Sequence, residues 1–436
     1  MADAAERGAL RALAAARIIG FVADAAERWR DADFAPRVRA TAAIETRLGY
    51  TTPVVDYALD RLFSGMTRDA LAAAVVSELG SVAALDGIAE RRGAPAAWAR
   101  GVDRVAVVSS DTTIGVALVP AVFALCAKCD VVVKDRSDAL VAAFFSSLAQ
   151  EHPAFAHAAR ARVWRGGDDA DEDELLARAD TVVAFGRNET LCAIRARCGV
   201  DARFVPFGHR ASVGRLTRAD AAALDDALAE RIARDALLYD GEGCLSLHAL
   251  FVHADGSARS GKDGAPSDDD SALACDGTDS GDDLLARVAR MLAAACEHVT
   301  VEFPGGSRAP GRAARIGSYR SLAAFRAASG RGDVMRRGDA TLVVDPPRDE
   351  PPPFLPRVLP LIAVADDDAI AVYAAEQRLP VQALGVVTPD ARAVALAERI
   401  GAVRVAPFGT MQDPPVAGHH GGAPRIADFV RWIDRE

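Results

Sequence analysis

Residues 103–134 read DRVAVVSSDTTIGVALVPAVFALCAKCDVVVK. Asp103 to Ser110 opens with a β-branched run, the composition of a strand covered on both faces. From about Gly115 to Cys126 the chain is apolar throughout and long enough for a helix. Asp130 to Lys134, DVVVK, is a second strand. A strand, a helix and a strand in about thirty residues make a βαβ unit, which needs parallel pairing and helices over the sheet.

The same alternation extends downstream. A helix is expected over about 137–150, a strand over 161–165, an acidic helix over 169–179, and strands over 181–185 and 202–207. Upstream, residues 1–100 are rich in Ala, Arg, Glu and Leu, a helical composition. One long amphipathic helix is expected from Thr217, a good N-cap, to Leu238. A glycine turn follows at 240–244, then a strand at 247–253. Residues 254–283 are rich in Gly, Ser and Asp, the composition of a surface loop. A helix over 284–298, strands over 299–303, 341–345 and 358–364, and a final βα unit over 384–406 complete a second α/β region. The expected division is an N-terminal helical region with a cofactor domain over 1–238, a second domain over 239–407, and a C-terminal segment over 408–436.

The chain has 436 residues, enough for two or three domains, and a formal net charge of −10. An acidic chain is a poor general binder of nucleic acid or anionic membrane. Seven cysteines in this length do not form a secreted disulfide framework and read as thiols. The longest apolar run, 114–127, is about fourteen residues, where a membrane span needs about twenty. Acids within the first thirty residues break any signal-peptide core, so a cytoplasmic protein is expected.

Several motifs carry little. GSARSGK at 256–262 has phosphate-loop spacing, but Asp263 stands where a magnesium-binding Ser or Thr belongs. Cys126 and Cys129 form one C-x-x-C with no second pair at metal-ligand spacing. His419 and His420 lie in a glycine-rich segment and read as solvated. No metal is expected.

Cys244 carries the strongest chemical signal. It follows Gly241-Glu242-Gly243, and glycines let a backbone approach a ligand or take positive φ. A cysteine on such a turn can present sulfur and backbone N–H groups to one point. A thiolate is a strong nucleophile and a fair leaving group, which suits thioester exchange, and the amides suit an oxyanion.

The segments 111–134, TVVAFGRNETLCAIR (181–195), RFVPFGHRASV (203–213), DGEGCLSLHALFV (240–252) and VAPFGTMQDPPVAGHHGG (405–422) resemble, in this order, the aldehyde dehydrogenase superfamily. Within it they are similar to the acyl-CoA reductase branch, the fatty-acid reductase of bacterial luminescence. The resemblance implies an α/β fold of two Rossmann-like lobes with parallel sheets and an N-terminal helical region. It makes Cys244 the nucleophile, with Glu242 where the family usually has Gln. It makes Lys134 the contact to the adenosine ribose, and Gly186 with Thr190 the loop under the cofactor phosphates.

Departures from the pattern are informative. Hydrolytic relatives carry a Glu-Leu-Gly-Gly segment whose glutamate activates water; Pro206-Phe207-Gly208-His209 stands here. Without that base a thioester on Cys244 should outlast water and wait for another acceptor. Thr112 stands where the family has the asparagine of the oxyanion hole, and His209 is a candidate proton donor. Residues 351–360, PPPFLPRVLP, lack the glutamate that usually holds the nicotinamide ribose. NAD-preferring members place an acid three positions after the lysine; Ser137 stands there, beside Arg136, which favours NADPH over NADH. Asp135 and Asp138 flank the pair and weaken that preference.

The implied reaction is reduction of an acyl-CoA or other acyl thioester to aldehyde, through acyl transfer to Cys244 and hydride from NADPH. Two alternatives stand beside it: an acyl-relay subunit active only with an acyl synthetase or transferase partner, and a degenerate protein that keeps the fold without the chemistry. The family's usual homo-oligomers are a further expectation.

Overall fold

The computed structural model describes residues 8–110, 113–135, 139–163, 170–254 and 281–436. They form two compact units: residues up to His209 with Asp413–Glu436, and Arg210–Gln412.

The first unit opens with four helices, α1 (Ala15–Arg28), α2 (Ala35–Leu48), α3 (Thr52–Ser64) and α4 (Arg68–Leu79). Their apolar stripes meet around Trp29, which packs on Phe34, Phe63 and Phe144 and donates its indole N–H to Ser147 Oγ at 3.0 Å. Arg37 is buried here, with three backbone carbonyls and Asp60 as partners. Two strands follow, β1 (Ala89–Arg91) and β2 (Ala94–Gly101). Then come β3 (Arg104–Val108), α5 (Leu118–Cys126), β4 (Asp130–Asp135), α6 (Ala139–Glu151), α7 (Ala154–Ala158), β5 (Ala159–Val163), α8 (Ala170–Arg178), β6 (Thr181–Phe185), α9 (Asn188–Arg197) and β7 (Arg203–Phe207). The five strands β3 to β7 form one sheet in the order β5-β4-β3-β6-β7, all pairs parallel. The order reverses at β3 and β6, the place where open α/β sheets bind nucleotides.

The second unit contains β8 (Ala211–Leu216), α10 (Arg218–Ala222), α11 (Asp226–Leu237), β9 (Leu247–His253), α12 (Gly281–Glu302), α13 (Pro310–Ala328), β10 (Asp333–Arg337), β11 (Ala340–Val344), β12 (Val358–Val364), α14 (Asp367–Glu376), β13 (Val381–Val386), α15 (Ala391–Arg399) and β14 (Val405–Pro407). Its sheet runs β10-β11-β12-β9-β8-β13-β14, parallel except for the β10–β11 hairpin. The last strand, β15 (Val430–Arg435), returns to the first unit and pairs antiparallel with β2. Glu78 fastens this return by accepting the N–H groups of Arg425, Ile426 and Ala427.

Four expectations need correction. The units divide between His209 and Arg210, not near residue 238, because β8 pairs with β9 and β13 and carries α10 and α11 with it. The helix expected over 217–238 is two: Thr217 and Asp220 close a capping box on α10, and Asp225 caps α11 afresh. The strand expected over 299–303 belongs to α12, whose periodicity continues through Val299. The terminal segment expected as a separate piece over 408–436 divides instead: Phe408–Gln412 stay with the second unit and Asp413–Glu436 join the first.

Candidate active site

Cys244 sits on the turn between α11 and β9. Leaving α11, the chain places Tyr239, Asp240 and Gly241 all at positive φ, at 55°, 55° and 68°. Two of the three carry side chains, so the turn is held against its own preference. At Gly241 a Cβ would fall 2.7 Å from the carbonyl oxygen of Ala236, so only glycine fits. What holds the turn is Arg357, fully buried and itself at φ 53°. Its guanidinium meets Leu237 O, Asp240 Oδ1, Asp339 Oδ1 and Thr300 Oγ1, and its backbone N–H donates to Asp240 O at 3.0 Å.

The cysteine is fixed from the other side as well. Ser246 Oγ accepts the Gly243 N–H at 3.0 Å and the Gln412 amide at 2.7 Å. Ser212 Oγ, at the start of β8, donates to the Cys244 carbonyl at 2.7 Å. Ser212 N–H in turn donates to His248 Nδ1 at 3.1 Å, which leaves the histidine proton on Nε2. The Cys244 thiol is half-buried, and desolvation pushes its pKa above the ordinary value. The backbone N–H groups of Cys244 and Leu245 lie near the sulfur and pull the other way. Glu242 is bound by Arg312 at 2.7 Å; burial nevertheless raises its pKa, with Asp240 adding to the rise and Arg312 and Arg308 opposing it.

In the first unit, Lys134 is the penultimate residue of β4, with its side chain 5% exposed. Its ammonium is 2.7 Å from Glu172, on α8, and Arg197 reaches the other carboxylate oxygen at 3.4 Å. Nothing in the local pattern marks Glu172 as the lysine's partner, since it is thirty-eight residues away and lies among other acids. Gly186 and Thr190 lie at the turn from β6 into α9. Arg187 caps α9 without any side-chain cap, and positions 187–190 are exposed. Helix N–H groups without a cap, beside an arginine, are the donor set that an anionic phosphate needs, so this turn fits the phosphate end of a dinucleotide. His209 is exposed just after β7. Thr112, Arg136 and Ser137 lie outside the described residues. His420, expected to be solvated, instead stacks on Phe207 with ring centroids 4.1 Å apart. Among the described residues no group of His, Cys, Asp or Glu could hold a metal ion, and no helix is long and apolar enough to cross a membrane.

Two parallel α/β units, a cysteine turn before a strand of the second sheet, and an uncapped helix at the first sheet's reversal define the aldehyde dehydrogenase fold. Solved structures agree. Aldehyde dehydrogenase 21 from Physcomitrella patens aligns with a TM-score of 0.68 at 14% identity, covering 98% of this chain and 87% of that one. A 3,6-anhydro-L-galactose dehydrogenase in complex with NAP gives 0.67 at 14%, with coverage of 98% and 88%. The NAD-dependent benzaldehyde dehydrogenase of Corynebacterium glutamicum gives 0.66 at 15%, with 98% and 87%. The comparison with curated proteins gives no match. The pattern of the acyl-CoA reductase (LuxC) family matches residues 10–261, and the chain belongs to that family. It is an oxidoreductase of the aldehyde dehydrogenase type.

Proposed function

We propose that the chain reduces an acyl thioester to an aldehyde by way of an acyl group carried on Cys244. The observation that carries this reading is the sulfur on a fixed turn with the amides of Cys244 and Leu245 directed at it. The Cys244 thiol gives up its proton and attacks the thioester carbonyl, the carbon–sulfur bond to the carrier breaks, and the carrier's thiolate takes up that proton as it leaves. The same two amides are placed to meet negative charge on the carbonyl oxygen as it forms.

The acyl group then has to outlast water. Pro206–His209 supply no carboxylate, and Glu242, two residues before the nucleophile, is bound to Arg312. No base is thereby freed at the turn to activate a water molecule. A nicotinamide cofactor, when bound, supplies the hydride that turns the acyl group into aldehyde. The α9 N-terminus with Arg187 would hold its phosphates, and Lys134 its adenosine ribose.

Arg136 and Ser137 carry the preference for NADPH. NADH is the second reading, favoured by one observation: Glu172 places a carboxylate at the Lys134 ammonium, where it would repel a 2′-phosphate and accept from a ribose diol.

Cys244→Ala tests the reading. The variant should make no aldehyde from octanoyl-CoA and acquire no octanoyl group by intact mass, where the unaltered protein gains one. Aldehyde formation by the variant refutes it.

A further inference from the structure

The two amides beside the Cys244 sulfur belong to two different peptide planes, and each plane is held by a serine. The Leu245 N–H shares its plane with the Cys244 carbonyl, to which Ser212 donates. The Cys244 N–H shares its plane with the Gly243 carbonyl, and Ser246 holds that one from both ends. Its N–H donates to Gly243 O at 3.0 Å, and its Oγ accepts the Gly243 N–H at 3.0 Å. The grip depends on where the Ser246 hydroxyl points, since a serine oxygen can donate as well as accept.

Gln412 fixes that direction. Its Nε2 donates to Ser246 Oγ at 2.7 Å and to Asp235 O at 3.3 Å, so both amide protons are used. With the Gly243 N–H on one lone pair and the glutamine amide on the other, Ser246 is held as an acceptor. The glutamine is itself fastened. Asp235, buried on α11, accepts the N–H groups of Gly409 at 2.6 Å and Met411 at 3.2 Å. Gly409 is at φ 89°, and a Cβ there would lie 2.8 Å from the Arg231 side chain. Met411 is fully buried against Gly385 of β13. Residues 408–412 are thereby tied to α11 and β13, and the last of them reaches the nucleophile turn across 166 residues of sequence.

We propose that Gln412 is a positioning residue for the acylation of Cys244: through Ser246 it holds the peptide whose N–H meets the oxyanion. This rests on Cys244 as the acyl acceptor, and it adds a residue that acts on geometry alone, moving no proton and forming no bond to the acyl group. Two reactions of the one sulfur separate that role from a general disturbance. Alkylation by iodoacetamide attacks a saturated carbon and builds no oxyanion, so it needs the thiolate and not the aligned amide. Acylation needs both. The ratio of the two rates at one pH reports the amide and is blind to any change in thiolate fraction.

The test measures both rates at Cys244 by mass spectrometry, with octanoyl-CoA and iodoacetamide as reagents and no nicotinamide cofactor present. Urea denaturation of each variant shows that it is folded. In Gln412→Met, which keeps the length and removes the donor, the ratio of acylation to alkylation should fall about tenfold, the effect of one hydrogen bond. The loss should lie in the acylation rate at saturating octanoyl-CoA, with the half-saturating concentration within about twofold. Gln412→Lys, which keeps a donor of similar reach, should recover part of it. Ser246→Ala should lose at least as much, and adding Gln412→Met to it should change the ratio by less than about twofold, because the glutamine acts through the serine. An unchanged ratio in Gln412→Met, or losses that multiply in the double variant, overturns the proposal. If the unaltered protein is alkylated at Cys244 but takes no octanoyl group, the reading of Cys244 as the acyl acceptor fails, and the proposal with it.

Discussion

The hydroxyl of Ser212 donates a 2.7 Å hydrogen bond to the carbonyl oxygen of Cys244, tying the first strand of the second unit to its nucleophile turn. Ser212 is fully buried, and its own N–H is spent on His248. Ser212→Ala removes the donor and leaves the Cys244 carbonyl without it. The expected cost is about 1–2 kcal/mol of unfolding free energy. Acylation of Cys244 should slow more than stability alone explains, because the peptide that carries one oxyanion donor is freed to rotate. Urea denaturation and intact-mass kinetics check both, and unchanged acylation would refute the role given to Ser212.

Burial raises the Cys244 thiol above its ordinary pKa, against the pull of two backbone N–H groups. Only the thiolate alkylates. Labelling by iodoacetamide should therefore be slow at pH 7.5 and still climb steeply between pH 8.5 and 9.5. Cys192, exposed on α9, serves as the reference in the same molecule. Peptide mapping by mass spectrometry separates the two, and a plateau for Cys244 at or below pH 8 would contradict the burial argument.

Glu172 pairs with Lys134 inside the first unit, and both are nearly closed to water. Glu172→Gln keeps the shape and removes the charge. If the carboxylate opposes a 2′-phosphate, the ratio of NADPH to NADH affinity should rise about tenfold, or roughly 1.4 kcal/mol. Tryptophan-fluorescence titration measures each Kd on the protein alone. The substitution should also lower stability, since half of a buried ion pair costs about 3–5 kcal/mol when its partner is left charged, and less with an amide in place. An unchanged ratio would remove Glu172 from the choice of cofactor.

The limits of the sequence lie in particular residues. Strands β3 and β6 read plainly because each is buried on both faces and nearly all apolar, and β4 through its Val131–Val133 run. Strand β8, ASVGRL, did not: Gly214 and Arg215 break the pattern, and only the Arg215–Asp367 ion pair explains a buried charge there. Residues 299–303, VTVEF, have strand composition, but α12 continues to Glu302, with Val299 buried and Val301 exposed. Glycines around Cys244 marked the turn because glycine is a local signal. Ser212, Gln412 and Arg357 act across distances in sequence that no spacing reveals.

His420 shows what such packing does to a titration. Its ring lies on Phe207 and near Phe185, and burial, with help from Arg425, holds its pKa down to about 4. An unfolded chain takes up the proton near pH 6.5, while the folded one resists until about 4. The neutral ring is compatible with the fold above pH 6.5, and stability drains away as the pH falls from about 6.5 toward 4. The difference between the two values corresponds to roughly 3.4 kcal/mol. His420→Phe keeps a ring on Phe207 and cannot be protonated. Between pH 7 and 4.5 the unaltered protein should lose about 2 kcal/mol more unfolding free energy than the variant. Carboxylates such as Asp428 titrate in both and cancel in the comparison. Parallel pH profiles in urea denaturation would show that the histidine can charge where it lies.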